Sequence, residues 1–96
     1  MILNFRSKTA QHIYDGEDSR YARKLPKSLH TKARRLLDQV NAATRVETLK
    51  VPPGNRLEPL KGDYKGFWSI RINDQWRVIF RFNQGTAYDV DMLDYH

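Results

Sequence analysis

Phe67-Trp68-Ser69-Ile70-Arg71-Ile72-Asn73-Asp74-Gln75-Trp76-Arg77-Val78-Ile79-Phe80-Arg81-Phe82 decides the fold of this chain of 96 residues. Two runs rich in β-branched and aromatic residues flank Asn73-Asp74-Gln75, whose residue types favour a turn, and together they read as an antiparallel hairpin. A third run, Ala87 to Leu93, follows Asn83-Gln84-Gly85 and extends the hairpin into a three-stranded meander. Side chains alternate along a strand, so parity sorts them onto two faces. One face is expected to hold Trp68, Ile70 and Ile72, then Trp76, Val78, Phe80 and Phe82, then Tyr88, Val90 and Met92.

The other face is basic. A turn at Asn73 to Gln75 sets Arg71 opposite Arg77, Ser69 opposite Ile79 and Phe67 opposite Arg81. Like charges facing each other across a strand pair destabilise a sheet. Arg71 and Arg77, with Arg81 further along, are therefore candidates for gripping an anion. The bland alternative is that Asp89 and Asp91, outward on the next strand, neutralise them. Both readings depend on register, because a slip of one residue sends the arginines to different faces.

Upstream of the meander the pattern is helical. Ile2 to Phe5 reads as a short N-terminal strand, and Lys8 to Asp15 as a short helix that turns Ile13 inward and ends at Gly16. Glu17 to Lys24 is charged and lacks apolar period, so an exposed loop is expected. Pro26 suits the first turn of a second helix. Leu29, Ala33, Leu36, Leu37, Val40 and Ala43 form its apolar stripe, with Lys32, Arg34, Arg35 and Asp38 on a solvated face. Thr44 and Glu47 stand at capping-box spacing for a further short turn. Val51-Pro52-Pro53-Gly54-Asn55 then breaks the helical half from the strand half. Neither half could bury a core alone, so the expectation is one α+β domain over residues 1–96. In it an N-terminal strand and two helices pack on an antiparallel sheet whose C-terminal part is the three-stranded meander.

Composition bounds the function. Seventeen Lys and Arg against eleven Asp and Glu give a formal charge of +6, which favours a polyanionic partner. The absence of cysteine excludes disulfides and thiolate metal sites. His12, His30 and His96 lie far apart without metal-ligand spacing, so neither metal nor cofactor is expected. No apolar run reaches the length of a membrane span, and Met1 to Arg6 does not read as a secretory leader; a cytoplasmic protein is expected.

The closing residues Asp94-Tyr95-His96 set a carboxylate, a phenol and an imidazole directly after the third strand-like run. They read either as a solubilising tail or as chemistry, since histidine titrates near neutrality and suits proton transfer. RNA is an anion that gives all these groups a use. Metal-free scission proceeds by attack of a ribose 2′-hydroxyl on its own 3′-phosphate, and needs a base, cations on the phosphate and an acid for the leaving oxygen. Arg77 and Arg71 could clamp the phosphate, and Lys61, in the loop carrying Gly62, could add charge. His96, Asp94 or Glu58 could move protons, and Tyr95 could stack on a base or position the phosphate.

Arg56-Leu57-Glu58-Pro59-Leu60-Lys61-Gly62-Asp63, Gly66-Phe67-Trp68-Ser69-Ile70-Arg71, Asn73-Asp74-Gln75-Trp76-Arg77 and the final Asp94-Tyr95-His96 resemble the HigB toxins of the RelE/ParE toxin–antitoxin superfamily. Pro52-Pro53-Gly54-Asn55-Arg56 further resembles the chromosomal branch that includes the GraT-like toxins. The resemblance implies helices packed on an antiparallel sheet and a ribosome-dependent mRNA endoribonuclease acting in the decoding site. It implies Lys61, Arg77, Asp94, Tyr95 and His96 as the catalytic set, and Arg71, Arg81 and Glu58 complete the residues expected at the RNA. Some relatives carry histidine at the position of Glu58. A HigA-like helix-turn-helix antitoxin is the implied partner, with operator DNA met only through the toxin–antitoxin complex. Two other functions compete: a ParE-like inhibitor of DNA gyrase, and a non-catalytic nucleic-acid-binding module.

Overall fold

The computed structural model describes residues 1–95. The chain forms two α-helices, α1 (Lys8–Asp15) and α2 (His30–Ala42), followed by four strands, β1 (Glu58–Pro59), β2 (Trp68–Arg71), β3 (Trp76–Asn83) and β4 (Thr86–Asp94). The strands make one antiparallel sheet in the order β1-β2-β3-β4. The expected meander is therefore present, with the two-residue β1 added at its edge.

The N-terminal strand is reduced to two isolated parallel bridges, Ile2 with Ala87 and Phe5 with Val90, against the free side of β4. Between them the backbone still bonds to β4, through Leu3 N to Ala87 O at 2.7 Å and Val90 N to Asn4 O at 3.2 Å. The interruption has a physical cause in β4 itself. Ile79 pairs with Asp91 but Arg81 pairs with Tyr88, so Asp89 and Val90 together stand opposite Phe80 as a bulge. Asp89 takes a φ of 52° there. Asn4 pins it, accepting from Asp89 N and donating to Asp89 Oδ1, both at 3.0 Å.

The bulge reverses parity along half of β4. Ala87 pairs with Phe82 on the helix-covered face and is fully buried, whereas Tyr88 pairs with Arg81 on the outer face. Strict alternation had assigned Tyr88 to the apolar layer; the extra residue sends it outward. Beyond the bulge Val90 and Met92 face the helices as expected.

The core lies between α2 and this face of the sheet. Ala33, Leu36, Leu37 and Val40 of α2 meet Ile70, Ile72, Trp76, Val78, Phe80 and Val90, and Ile13 of α1 joins them. The 3₁₀ turn at Ala22–Lys24 corrects the expected exposed loop, because Ala22 and the following Leu25 are fully buried. Arg34 is not merely solvated: its Nε donates to Ile13 O at 2.9 Å and ties α2 to the end of α1. Val46–Lys50 forms the short turn foreseen after α2, but Arg45 occupies its N-cap without a side-chain bond, so the Thr44 capping box does not form. Pro53–Asn55 is a further 3₁₀ turn, and buried Asn55 donates to Leu49 O at 3.1 Å and Gln39 Oε1 at 3.2 Å.

Candidate active site

The outer face of the sheet is built by cross-strand pairs. Arg71 does pair with Arg77, and Ser69 with Ile79. The third expected neighbour follows at the ladder's end, where Arg81 Cζ lies 4.4 Å from the centroid of the Phe67 ring. Facing arginines are tolerated because each has its own carboxylate. Arg71 Nη2 donates to Asp74 Oδ1 at 2.6 Å, Arg77 Nη1 forms an ion pair with Glu58 Oε1 at 2.9 Å, and Arg81 Nε lies 3.6 Å from Asp89 Oδ2. The Asp89 half of the neutralising alternative thus holds for Arg81. Asp91 instead accepts from Ser7 Oγ at 2.5 Å and lies 4.0 Å from Arg6 Nε. The Arg71 guanidinium holds the Asp74 carboxyl below its ordinary range, by hydrogen bond first and charge second.

These pairings divide the predicted set. Arg71 is committed to the β2–β3 turn, and Arg81 sits over Phe67 four positions along β3 from Arg77. Arg77 turns to Glu58 of β1, the strand from which the next loop starts. There Leu60 N donates to Phe67 O at 2.9 Å, and Phe67 N to Tyr64 O at 2.9 Å, closing a short loop on itself. Gly62, at φ 64°, gives the turn that follows Lys61. A cleft of about 330 Å³ opens here, lined by Glu58, Leu60, Lys61, Tyr64, Leu93 and Tyr95 among others. Tyr95 is brought in by its backbone, whose N–H donates to Gln75 O at 2.5 Å. Its ring centroid lies 4.6 Å from Arg77 Cζ.

Glu58, Lys61 and Tyr95 therefore line one cleft, and Arg77 packs against two of them, Glu58 and Tyr95. Asp94 ends β4 in register with Trp76, so alternation puts it on the other side of the strand from Leu93 and Tyr95. His96 lies outside the described residues. Among the described residues no cluster of three or more His, Cys, Asp or Glu side chains could hold a metal. Among the described residues no helix is long and apolar enough to cross a membrane. Ser69 went unremarked in the sequence as a site residue, yet it is fully buried and accepts from Arg77 Nη1 at 3.2 Å. Its signal was a lone hydroxyl between the apolar Trp68 and Ile70.

The family model for HigB-like toxins, described as RelE-like toxins of type II toxin–antitoxin system HigB, matches residues 3–96. The chain belongs to the HigB-like toxin family. It is 40% identical over 96 residues to Toxin HigB-1 of Vibrio cholerae, covering all of this chain and 98% of the relative. Over 41 residues it is 49% identical to Endoribonuclease HigB of Proteus vulgaris, a match covering 43% of this chain and 45% of that one. The fold recurs in the YoeB–YefM complex from Staphylococcus aureus, with a TM-score of 0.61 at 22% identity, covering 100% of this chain and 95% of that one. It recurs again in a YafQ mutant from E. coli, with a TM-score of 0.58 at 17% identity, covering 98% and 91%. As a HigB-like toxin the chain is one half of a type II toxin–antitoxin system, and the expected α+β architecture of helices on an antiparallel sheet is the RelE-like one.

Proposed function

We propose that this HigB-like toxin is a metal-independent endoribonuclease that cuts messenger RNA on the ribosome and so blocks translation. The observation that carries the reading is the cleft lined by Glu58, Lys61 and Tyr95, with Arg77 packed against Glu58 and Tyr95, on a chain of net charge +6. A phosphodiester seated there meets the ammonium of Lys61 as a point charge and the guanidinium of Arg77 as a fork of donors. The 2′-oxygen attacks the adjacent phosphorus and the bond to the 5′-oxygen breaks, leaving a 2′,3′-cyclic phosphate and a 5′-hydroxyl. The two cations stabilise the charge that gathers on the non-bridging oxygens. Tyr95, stacked under Arg77, supplies a ring for a base or a hydroxyl for the phosphate. Proton transfer falls to His96, since Asp94 stands on the other side of its strand and Glu58 is held in an ion pair with Arg77.

The relative from Proteus vulgaris bears the name endoribonuclease, which supports the same reaction class here. The partner proposed for this chain is a HigA-like helix-turn-helix antitoxin, through which the complex would meet operator DNA. The ribosome's small-subunit decoding site is the proposed place of action, and the cytoplasm its compartment. Expressing the chain without an antitoxin should arrest growth and produce cuts inside translated messages. Intact messages accompanied by gyrase-linked DNA damage would replace this reading with gyrase inhibition.

A further inference from the structure

Arg77 is nearly enclosed, its side chain 12% exposed. A guanidinium taken out of water must be hydrogen-bonded to be tolerated. Here one nitrogen meets both groups: Nη1 donates to Ser69 Oγ at 3.2 Å and stands in an ion pair with Glu58 Oε1 at 2.9 Å. The two partners are not independent. Glu58 and Ser69 face each other as a cross-strand pair of β1 and β2, so the ladder itself fixes where both stand. The Tyr95 ring, 4.6 Å from Cζ, packs against the same group. A hydroxyl as buried as Ser69 is destabilising if left without a bond. Among the described residues, Arg77 supplies the one its side chain has.

Guanidinium is a rigid plane with five N–H donors. The Ser69 hydrogen bond and the Glu58 ion pair, both at Nη1, fix the orientation of that plane and leave the donors of Nε and Nη2 for an incoming anion. We propose that Ser69, together with Glu58, is a positioning residue that pins Nη1 of Arg77 and thereby presents the rest of the guanidinium to the scissile phosphodiester. This rests on Arg77 being the phosphate clamp. It also gives Glu58 a purpose that its negative charge beside a phosphate site would otherwise contradict. The carboxylate orients the cation instead of binding the RNA.

Two measurements on the full chain test it. Nitrogen-15 NMR of arginine side chains should show slow rotation of the Arg77 guanidinium, quickened by Ser69→Ala and by Glu58→Gln. A freely rotating Arg77 in the wild type, or one unmoved by Ser69→Ala, overturns the hold whatever the RNA does. In cleavage assays Ser69→Ala should lower kcat by about tenfold to 150-fold, the worth of one hydrogen bond to a charged group. In an Arg77→Lys background, which has no fork to orient, the same change should do almost nothing. Equal losses in both backgrounds would mark Ser69 as merely structural. A pinned Arg77 in a protein that cuts no RNA sinks the nuclease reading and the positioning role with it, while the hold itself stands.

Discussion

Arg77 is the residue on which most of the site converges, since Glu58, Ser69 and Tyr95 all touch it. Arg77→Ala should abolish RNA cleavage while leaving the fold intact, checked by product gels beside circular dichroism. Tyr95 separates ring from hydroxyl. A cation over a partly exposed ring is worth about 0.5–1 kcal/mol, so Tyr95→Phe should keep the packing on Arg77 that Tyr95→Ala loses. If the phenol itself acts on the phosphate, Tyr95→Phe will be as damaging as Tyr95→Ala in kcat. Asp74 offers a pH test away from the cleft. Its carboxyl is held below its ordinary range by Arg71, so the folded state binds its proton less readily than the unfolded chain. The associated stability is present above the unfolded pKa and fades as pH falls through the folded one. Asp74→Asn should therefore narrow the gap between melting temperatures at neutral and strongly acidic pH. The effect will be small, because the group is fully exposed.

At the scale of elements, the strands were legible because apolar alternation and turn residues agreed along the hairpin. The pairing of Arg71 with Arg77 followed from the length of one turn. What alternation could not show was the bulge at Asp89, which needs a residue at positive φ and the outside help of Asn4. That omission misplaced Tyr88 and concealed how the N-terminal segment joins the sheet. The buried Ala22 and Leu25 were hidden by charged neighbours that broke the helical period. In the site, a cluster of residue types suggested the chemistry, but partner choice was invisible. Arg71, Arg77 and Arg81 look alike in sequence, and only the fold assigns them Asp74, Glu58 and Asp89. Two substitutions probe elements directly. Ser7 caps α1 by accepting from Ala10 N at 3.2 Å and also donates to Asp91. Ser7→Ala should cost about 1–2 kcal/mol in denaturant melts. Gly66, at φ 95°, leaves room for Arg81, whose Nη1 would lie 2.6 Å from an added Cβ. Gly66→Ala should destabilise by about 1–2 kcal/mol from backbone strain, with the flexible Arg81 tip able to move aside.

For the whole molecule, one apolar layer between α2 and the sheet holds the outer face in register, and the outer face holds the cleft. Leu37→Ala, at a fully buried position, should cost about 2–5 kcal/mol, a large share of the roughly 5–15 kcal/mol that keeps such a domain folded. Its effect on cleavage should track the folded fraction, unlike that of Arg77→Ala. The charge of +6 should also make RNA affinity fall steeply as salt rises. The most direct test of the account is cleavage of a ribosome-bound message by the purified chain, with product ends mapped and chemically typed. The account predicts cuts within the translated frame that carry 2′,3′-cyclic phosphate ends and vanish with Arg77→Ala. An uncut message, or cutting that survives Arg77→Ala unchanged, would contradict it.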